Sequence, residues 1–200
     1  MRRIKLVLIA ATLLVASAAE AQFSFGVKGG VNITKAKFDG DVLKSDNITG
    51  YYLGPMMEFM LGRGGFGLDL ALLYSQKGFE SELRTVRNSY IEVPANLKFK
   101  LGLPLVNPYI SAGPYIDFRI AGDKVWDISG KYESIAQQLK SKSFGAGLNF
   151  AVGADVFDRL QVGLNYSIAL TDNYKTFDAN DPDSYRGKIV AASLSVAFIF

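Results

Sequence analysis

Gly187-Lys-Ile-Val-Ala-Ala-Ser-Leu-Ser-Val-Ala-Phe-Ile-Phe200 alternates with a period of two. Val190, Ala192, Leu194, Val196, Phe198 and Phe200 fall on one face. Ala191, Ser193, Ser195 and Ala197 fall on the other, with Ile199 the apolar exception. Period two marks a strand held between two different surroundings. A soluble sandwich writes this pattern. So does a membrane barrel, with lipid against the apolar face and a lumen against the small, polar one. The remainder of the chain separates the two.

The same alternation recurs, and eight strands are expected. The first runs over about Phe23 to Thr34 and the second over about Thr49 to Leu61, before the turn Gly62-Arg63-Gly64-Gly65. The third shows Phe66, Leu68, Leu70, Leu72 and Tyr74 on one face. The fourth, Tyr90 to Leu101, leads through a short turn to a fifth with Ile110, Ala112, Pro114, Ile116 and Phe118. The sixth carries Phe144 to Val152, and a turn near Phe157-Asp158-Arg159 opens the seventh, Leu160 to Leu170. The eighth is the opening stretch. Connections alternate: short turns, then longer polar segments over Lys35 to Ile48, Glu80 to Ser89, Ala121 to Ser141 and Asp172 to Tyr185. Short turns at one end and long loops at the other is the outer-membrane pattern. Strands of roughly 11 to 14 residues exceed the usual five or six of soluble sheets and suit a tilted crossing of hydrocarbon.

The second face of these strands decides the surroundings. It carries Lys28, Asn32, Glu58, Asp69, Glu92, Asn96, Lys98, Lys100, Asp117, Arg119, Asn149, Asp155, Gln161 and Asn165, with glycines between them. Polar and small inside, Leu, Ile, Val and Phe outside, is the inverse of a soluble barrel. An eight-stranded barrel has an interior just wide enough for side chains to fill. The expected fold is therefore all-β, an eight-stranded antiparallel up-and-down transmembrane β-barrel, with both chain ends on the short-turn, periplasmic side.

The front of the chain bears on compartment. Arg2, Arg3 and Lys5 precede the apolar run Leu6 to Val15, and Ala19-Glu20-Ala21 has the form of a cleavage site, the three parts of a secretory leader. The apolar run falls short of the roughly 20 residues a membrane helix needs. Residues 1–21 are expected to be a signal peptide and 22–200 a single barrel domain in the outer membrane. Removing Arg2, Arg3, Lys5 and Glu20 takes the net charge from +3 to about +1. That leaves no nucleic-acid footprint and no polybasic membrane patch.

Leu70-Ala-Leu-Leu-Tyr-Ser-Gln-Lys-Gly78, Tyr90-Ile-Glu-Val-Pro-Ala-Asn-Leu-Lys98 and Pro108-Tyr-Ile-Ser-Ala-Gly-Pro114 resemble the PorT-like outer-membrane β-barrel family of the Bacteroidetes, over essentially the whole chain after the leader. The resemblance implies location and fold; a namesake's role in secretion does not travel with a fold. It also implies that Phe198 and Phe200 belong to an assembly signal read by the barrel assembly machinery. Outer-membrane lipid and that machinery are the expected partners, with a surface or secretion partner through the long loops and no nucleic acid.

Chemistry is sparse. The chain has no His and no Cys, which removes Ser-His, Cys-His and imidazole-zinc sites. Ser45-Asp46-Asn47 lacks an accompanying S-x-x-K, and Gly145-Ala-Gly147 lacks a third glycine. Asp178-Ala-Asn-Asp-Pro-Asp183 offers oxygen ligands for Ca²⁺, but Pro182 breaks the spacing and a solvated acidic loop is the simpler reading. Trp126, followed by a short helix over Lys131 to Lys140, suits a headgroup anchor or a partner surface. No catalytic residue, cofactor or metal is expected.

Pairing Leu61 with Phe66 across the first short turn places Glu58 opposite Asp69. Paired carboxylates serve glycosidases and acid proteases, yet a narrow lumen leaves no room for a polymer. The expectation is a structural lumen charge network of Lys28, Glu58, Asp69, Glu92, Lys98, Asp117 and Arg119, with Lys28 and Lys98 at similar depth. The expected function is a non-enzymatic barrel with a structural, surface-interaction or secretion-support role. The alternative is a narrow pore or small-solute channel.

Overall fold

The computed structural model describes residues 21–38, 45–62, 64–81, 84–122, 125–127, 138–141, 143–171, 174–177 and 186–200. Residues 1–20, which hold nearly all of the expected leader, and the acidic stretch 178–183 lie outside the described residues. The strand segments are β1 (Ala21–Phe38), β2 (Ser45–Asp46), β3 (Ile48–Leu61), β4 (Gly65–Ala71), β5 (Leu73–Ser81), β6 (Arg84–Lys100), β7 (Val106–Ala121), β8 (Val125–Asp127), β9 (Gln138–Ser141), β10 (Phe144–Val156), β11 (Leu160–Ala169), β12 (Tyr174–Phe177) and β13 (Arg186–Ile199).

Eight strands cross the barrel: β1, β3, β4 with β5, β6, β7, β10, β11 and β13. Each pairs antiparallel with the next, and β13 returns to β1. At the seam the Phe200 N–H donates to the Phe25 carbonyl at 2.9 Å. β4 and β5 are one strand interrupted at Leu72, since Met56 opposite Ala71 and Tyr52 opposite Ser75 keep a single register. Pro94 of β6 lies beside this break, opposite Ala71, and has no N–H to donate. On the β3 side the ladder continues, with the Leu72 N–H donating to the Pro55 carbonyl at 3.0 Å.

The register sets the shape. Partners can be followed from Phe23 through Phe59, Leu68, Leu97, Ala112, Phe150, Tyr166 and Ala192 back to Ile33 on β1. One circuit therefore climbs ten residues, from 23 to 33. With strands about 4.8 Å apart and a rise of about 3.3 Å per residue, that shear tilts the strands by roughly 40° and gives a radius of about 8 Å.

Burial alternates as lipid requires. On β13, Ala192, Leu194, Val196 and Phe198 are exposed, while Ala191, Ser195, Ala197 and Ile199 are buried. Aromatic pairs band the outside near the short turns: Phe23 with Phe59 (centroids 4.8 Å apart), Phe66 with Phe99 (5.1 Å) and Phe198 with Phe200 (5.8 Å). A second band holds Tyr51 with Tyr74 at 6.0 Å and Phe118 with Phe144 at 5.2 Å. Along one strand, Phe66 to Tyr74 spans about 20 Å of barrel height at this tilt, close to the hydrophobic band of such barrels.

The short turns use backbone that only a few residues tolerate. Phe157 and Asp158 both have positive φ, 54° and 56°, as a tight hairpin turn with the right twist demands. The Phe157 N–H donates to the Leu105 carbonyl at 2.8 Å, joining neighbouring turns. A Cβ on Gly64 would lie 2.6 Å from the Gly102 Cα, so those two turns pack backbone to backbone.

Two expectations need correcting at the long-loop end. Glu80 to Ser89 is not a loop: β5 and β6 stay paired up to Ser81 opposite Arg84. Polar residues on both faces of this hairpin hide the alternation that marks a strand. The helix expected over Lys131 to Lys140 is contradicted at its end, where β9 pairs with β12 and β8; residues 128–137 lie outside the described residues. Trp126 is on β8.

Closure leaves no unpaired edge around the barrel wall, and a closed circuit of eight strands must open cooperatively. The folded protein is expected to resist SDS at room temperature and to shift in electrophoretic mobility after boiling. Identical bands before and after heating would count against the closed barrel.

Candidate functional site

The lumen is where this sequence concentrates its chemistry. Alternation turns the even-numbered residues of β1, β3 and β6 and the odd-numbered residues of β4, β5, β7, β10 and β11 inward. The tilt then brings residues of different strands to one level.

Among the described residues, the ion pairs fall into two groups. The first lies toward the short turns. Lys98, at 0% exposure, donates from Nζ to Glu58 Oε2 at 2.5 Å, Gln161 Oε1 at 3.1 Å and Asp69 Oδ2 at 3.4 Å. Its ammonium also sits 4.1 Å from the Tyr109 ring centroid. Gln161 Nε2 donates to Glu58 Oε2 at 2.8 Å. Lys100 bridges Glu58 and Asp155, and Lys28 reaches Asp69 at 3.6 Å. Three ammonium groups thus face three carboxylates, and the cluster balances. The second group lies toward the long loops. There Lys77 pairs with Glu92 and, at 3.4 Å, with Asp117, its Nζ 4.8 Å from the Tyr115 ring centroid.

Each expected network residue can now be placed. Lys28, Glu58, Asp69 and Lys98 come together. Glu58 does sit opposite Asp69. The depths differ from expectation, however: Lys28 lies opposite Gly54, and Ser24 is the partner of Glu58. Shear moves the strands past one another, and the long lysine stem spans the offset. Glu92 and Asp117 belong to the separate group around Lys77. Arg119 lies opposite Tyr90 at the upper edge of β7 and is half-buried. Lys77 escaped the sequence reading because strand three was ended at Tyr74. Continuing the odd-numbered parity to 77 finds it. Phe198 and Phe200 are on the lipid face, Phe200 at 78% exposure.

Buried tyrosines are the other lumen feature. Tyr52, Tyr90, Tyr109 and Tyr115 fill the interior. Glycines make room for them. A Cβ on Gly153 or Gly163 would come within 2.6 Å of the Tyr109 ring or hydroxyl, and one on Gly147 within 2.4 Å of the Tyr115 ring. The glycine-rich inner face of β10 and β11 is a socket for rings projecting from β7. A cavity of about 40 Å³ lies among Tyr52, Asn32, Asn96, Asn149 and Asn165, and a second of about 240 Å³ lies at the short-turn end. Among the described residues, no group of three or more acidic, His or Cys side chains is placed to hold a metal.

The chain belongs to the outer membrane protein beta-barrel domain family, whose model matches residues 16–175. Among solved structures it is similar to Neisserial surface protein A, at 14% identity and a TM-score of 0.50, covering 90% of this chain and 99% of that one. It is also similar to Ail, the attachment invasion locus protein of Yersinia pestis, at 14% identity, the same coverage and a TM-score of 0.49. The outer membrane enzyme PagL aligns at 13% identity and a TM-score of 0.38, over 88% of this chain and 98% of that one. At such identities the likeness is one of fold. No curated protein matches the chain.

The lower group should respond as a unit. Removing one partner of a buried ion pair costs about 3–5 kcal/mol, because the other charge is stranded. Lys98→Met is expected to lower urea stability in lipid by that order, and adding Asp69→Asn to recover part of it. Strictly additive losses in this double-mutant cycle would show that the charges are uncoupled.

Proposed function

We propose that this outer-membrane barrel is non-enzymatic and non-conducting, a solid pillar that holds its long connections at the cell surface. Its role is structural, surface interaction or support of a secretion complex. The observation that carries the reading is Lys98, fully buried toward the short turns and held by Glu58, Gln161, Asp69 and Tyr109. Paired side chains from opposing walls crowd the lumen at that level. The complete absence of His and Cys supports the non-enzymatic half, since it removes the common hydrolytic nucleophile–base pairs. Residues 1–21 are read as the leader that exports the chain and 22–200 as the barrel domain. The strand motifs around Leu70 to Gly78 and Tyr90 to Lys98 support a finer placement among PorT-like proteins of the Bacteroidetes. Lipid, the assembly machinery and a partner of the long loops are the proposed contacts.

Reconstitution into planar bilayers tests the reading. No discrete conductance steps are expected. Reproducible steps would overturn it in favour of a narrow pore.

Phe200 is proposed to serve assembly rather than the finished fold. Its ring touches Phe198 at the short-turn rim, and one aromatic side chain taken out of water contributes at most roughly 1.5–3 kcal/mol. An unfolded chain awaiting insertion exposes alternating apolar strands and is prone to aggregate. Deleting Phe200 is expected to cut outer-membrane levels in cells severalfold, while the purified variant still refolds in detergent. Unchanged cellular levels would refute the signal, and failed refolding would make Phe200 a structural residue.

A further inference from the structure

We propose that the outer wall of the barrel binds an anionic, phosphate-bearing lipid at its long-loop end. The headgroup lies on a row of cations along β1, β13, β12 and β9, and an acyl chain lies in an apolar groove beneath them.

The wall does not stop at the hydrocarbon. β9 leads into β10 and β12 follows β11 in the chain, and both carry the wall upward, β12 by pairing with β13 and β9 by pairing with β12. Register then collects cations from four separate segments. Lys37 lies opposite Lys188, Lys175 opposite Arg186, and Lys140 opposite Lys175. Lys35 lies opposite Val190. Partners across a ladder share a face, and so do residues two apart on one strand. Ala192 and Leu194, both exposed to lipid, mark the outward face of β13, so all six cations fall on that face, and Lys188 is itself exposed. Each segment supplies one or two of them, which is why the sequence shows no polybasic patch. Among the described residues, acids share this face only at its margins: Asp127 opposite Gln138 on β8, and Asp46 opposite Glu80 beyond β1. Like charges directly opposite one another destabilise a sheet, so three such pairs side by side call for an anion.

Height assigns the source of that anion. From Phe198, in the lower aromatic band, to Lys188 is ten residues along β13, or about 25 Å of height at this tilt. That is the thickness of the apolar band of such barrels. On β1 the exposed series Val27, Val31 and Ile33 gives way to Lys35 at the same boundary. The cations begin where hydrocarbon ends, at the level of lipid phosphates.

A groove makes the ligand a lipid rather than a free anion. Ala192 is small and lies between Ile33 and Tyr166 in the ladder. Around it a groove of about 600 Å³ opens to hydrocarbon among Val31, Ile33, Phe150, Tyr166, Ala192 and Leu194. Ala192 is four residues from Lys188, about 10 Å lower on the wall. An amphiphile with an anionic head and a flexible chain fits both features at once.

The full mature protein, purified in uncharged detergent, would be titrated with phosphatidylglycerol and with zwitterionic phosphatidylcholine of the same chains. Native mass spectrometry would count the bound lipid. Wild type is expected to prefer phosphatidylglycerol at least about fivefold, the factor one Lys or Arg near an anionic surface is worth. Lys175→Gln with Lys188→Gln is expected to remove the preference. Arg87→Gln with Arg159→Gln makes the same charge change on the opposite wall and at a short turn, and is expected to keep it. Ala192→Phe, which fills the groove, is expected to weaken both lipids alike. Should the lysine variant fail to show the heat-dependent band shift, wild type in about 1 M ammonium acetate replaces it, with the preference expected to vanish as charges are screened. Equal affinity of wild type for the two lipids, a preference kept by the lysine variant or in high salt, or an equal loss in the arginine control would overturn the proposal. Displacement of phosphatidylglycerol by equimolar inorganic phosphate would overturn it in favour of a free-anion site. Undiminished binding by Ala192→Phe would overturn the groove.

Discussion

Hydrocarbon offers no hydrogen bond to a peptide group, so a strand that crosses it must find all its partners in neighbouring strands. One circuit of eight strands meets that demand only if β13 returns to β1. Closure at a shear of ten residues fixes the tilt, and the tilt fixes how many residues cross. It also narrows the interior to the width of side chains from opposing walls. The inversion of polarity follows. Leu, Ile, Val and Phe must point outward, and everything polar shares the inside.

That interior is packed with charge in balanced groups. Burying an ion pair is not a sound route to stability, since desolvation offsets most of the attraction. What the arrangement contributes is specificity. Three of the buried lysines touch two carboxylates from different strands: Lys98 those of Glu58 and Asp69, Lys100 those of Glu58 and Asp155, Lys77 those of Glu92 and Asp117. A strand shifted by two residues would still present its apolar face to lipid, but it would leave these cations unmatched. The tyrosine rings seated against Gly147, Gly153 and Gly163 reject the same slips by shape.

Local pattern was legible in the sequence to the extent that it alternates. Gly187 to Phe200 reads inward and outward as the barrel uses it. The turn length between Leu61 and Phe66 suffices to place Glu58 opposite Asp69. Two kinds of feature were hidden. The first is depth: shear is a property of the whole circuit, so no hairpin reveals that Lys28 sits level with Gly54 or that the charges divide around Lys98 and Lys77. The second is the extension of β5 and β6 beyond the bilayer. There the outer face no longer needs apolar residues, and period two vanishes from a strand that continues. Lys77 and the inward tyrosines were lost for related reasons, the first past an assumed strand end, the others because a ring on either face fits an apolar pattern.

The seam between β1 and β13 differs from every other pairing around the wall. The other crossing strands meet their immediate predecessors in the chain, through connections that are local compared with the span from β1 to β13. Gly26 and Ile199 meet only after everything between them has curled into place. The entropy of that closure is modest, about 0.6 kcal/mol for each doubling of loop length. Its consequence is one of order: the seam forms last. A sheet still open there offers two unpaired edges, those of β1 and β13. The same line is where the finished wall can part without undoing a hairpin, so a transient sideways opening toward lipid would begin between Phe25 and Phe200.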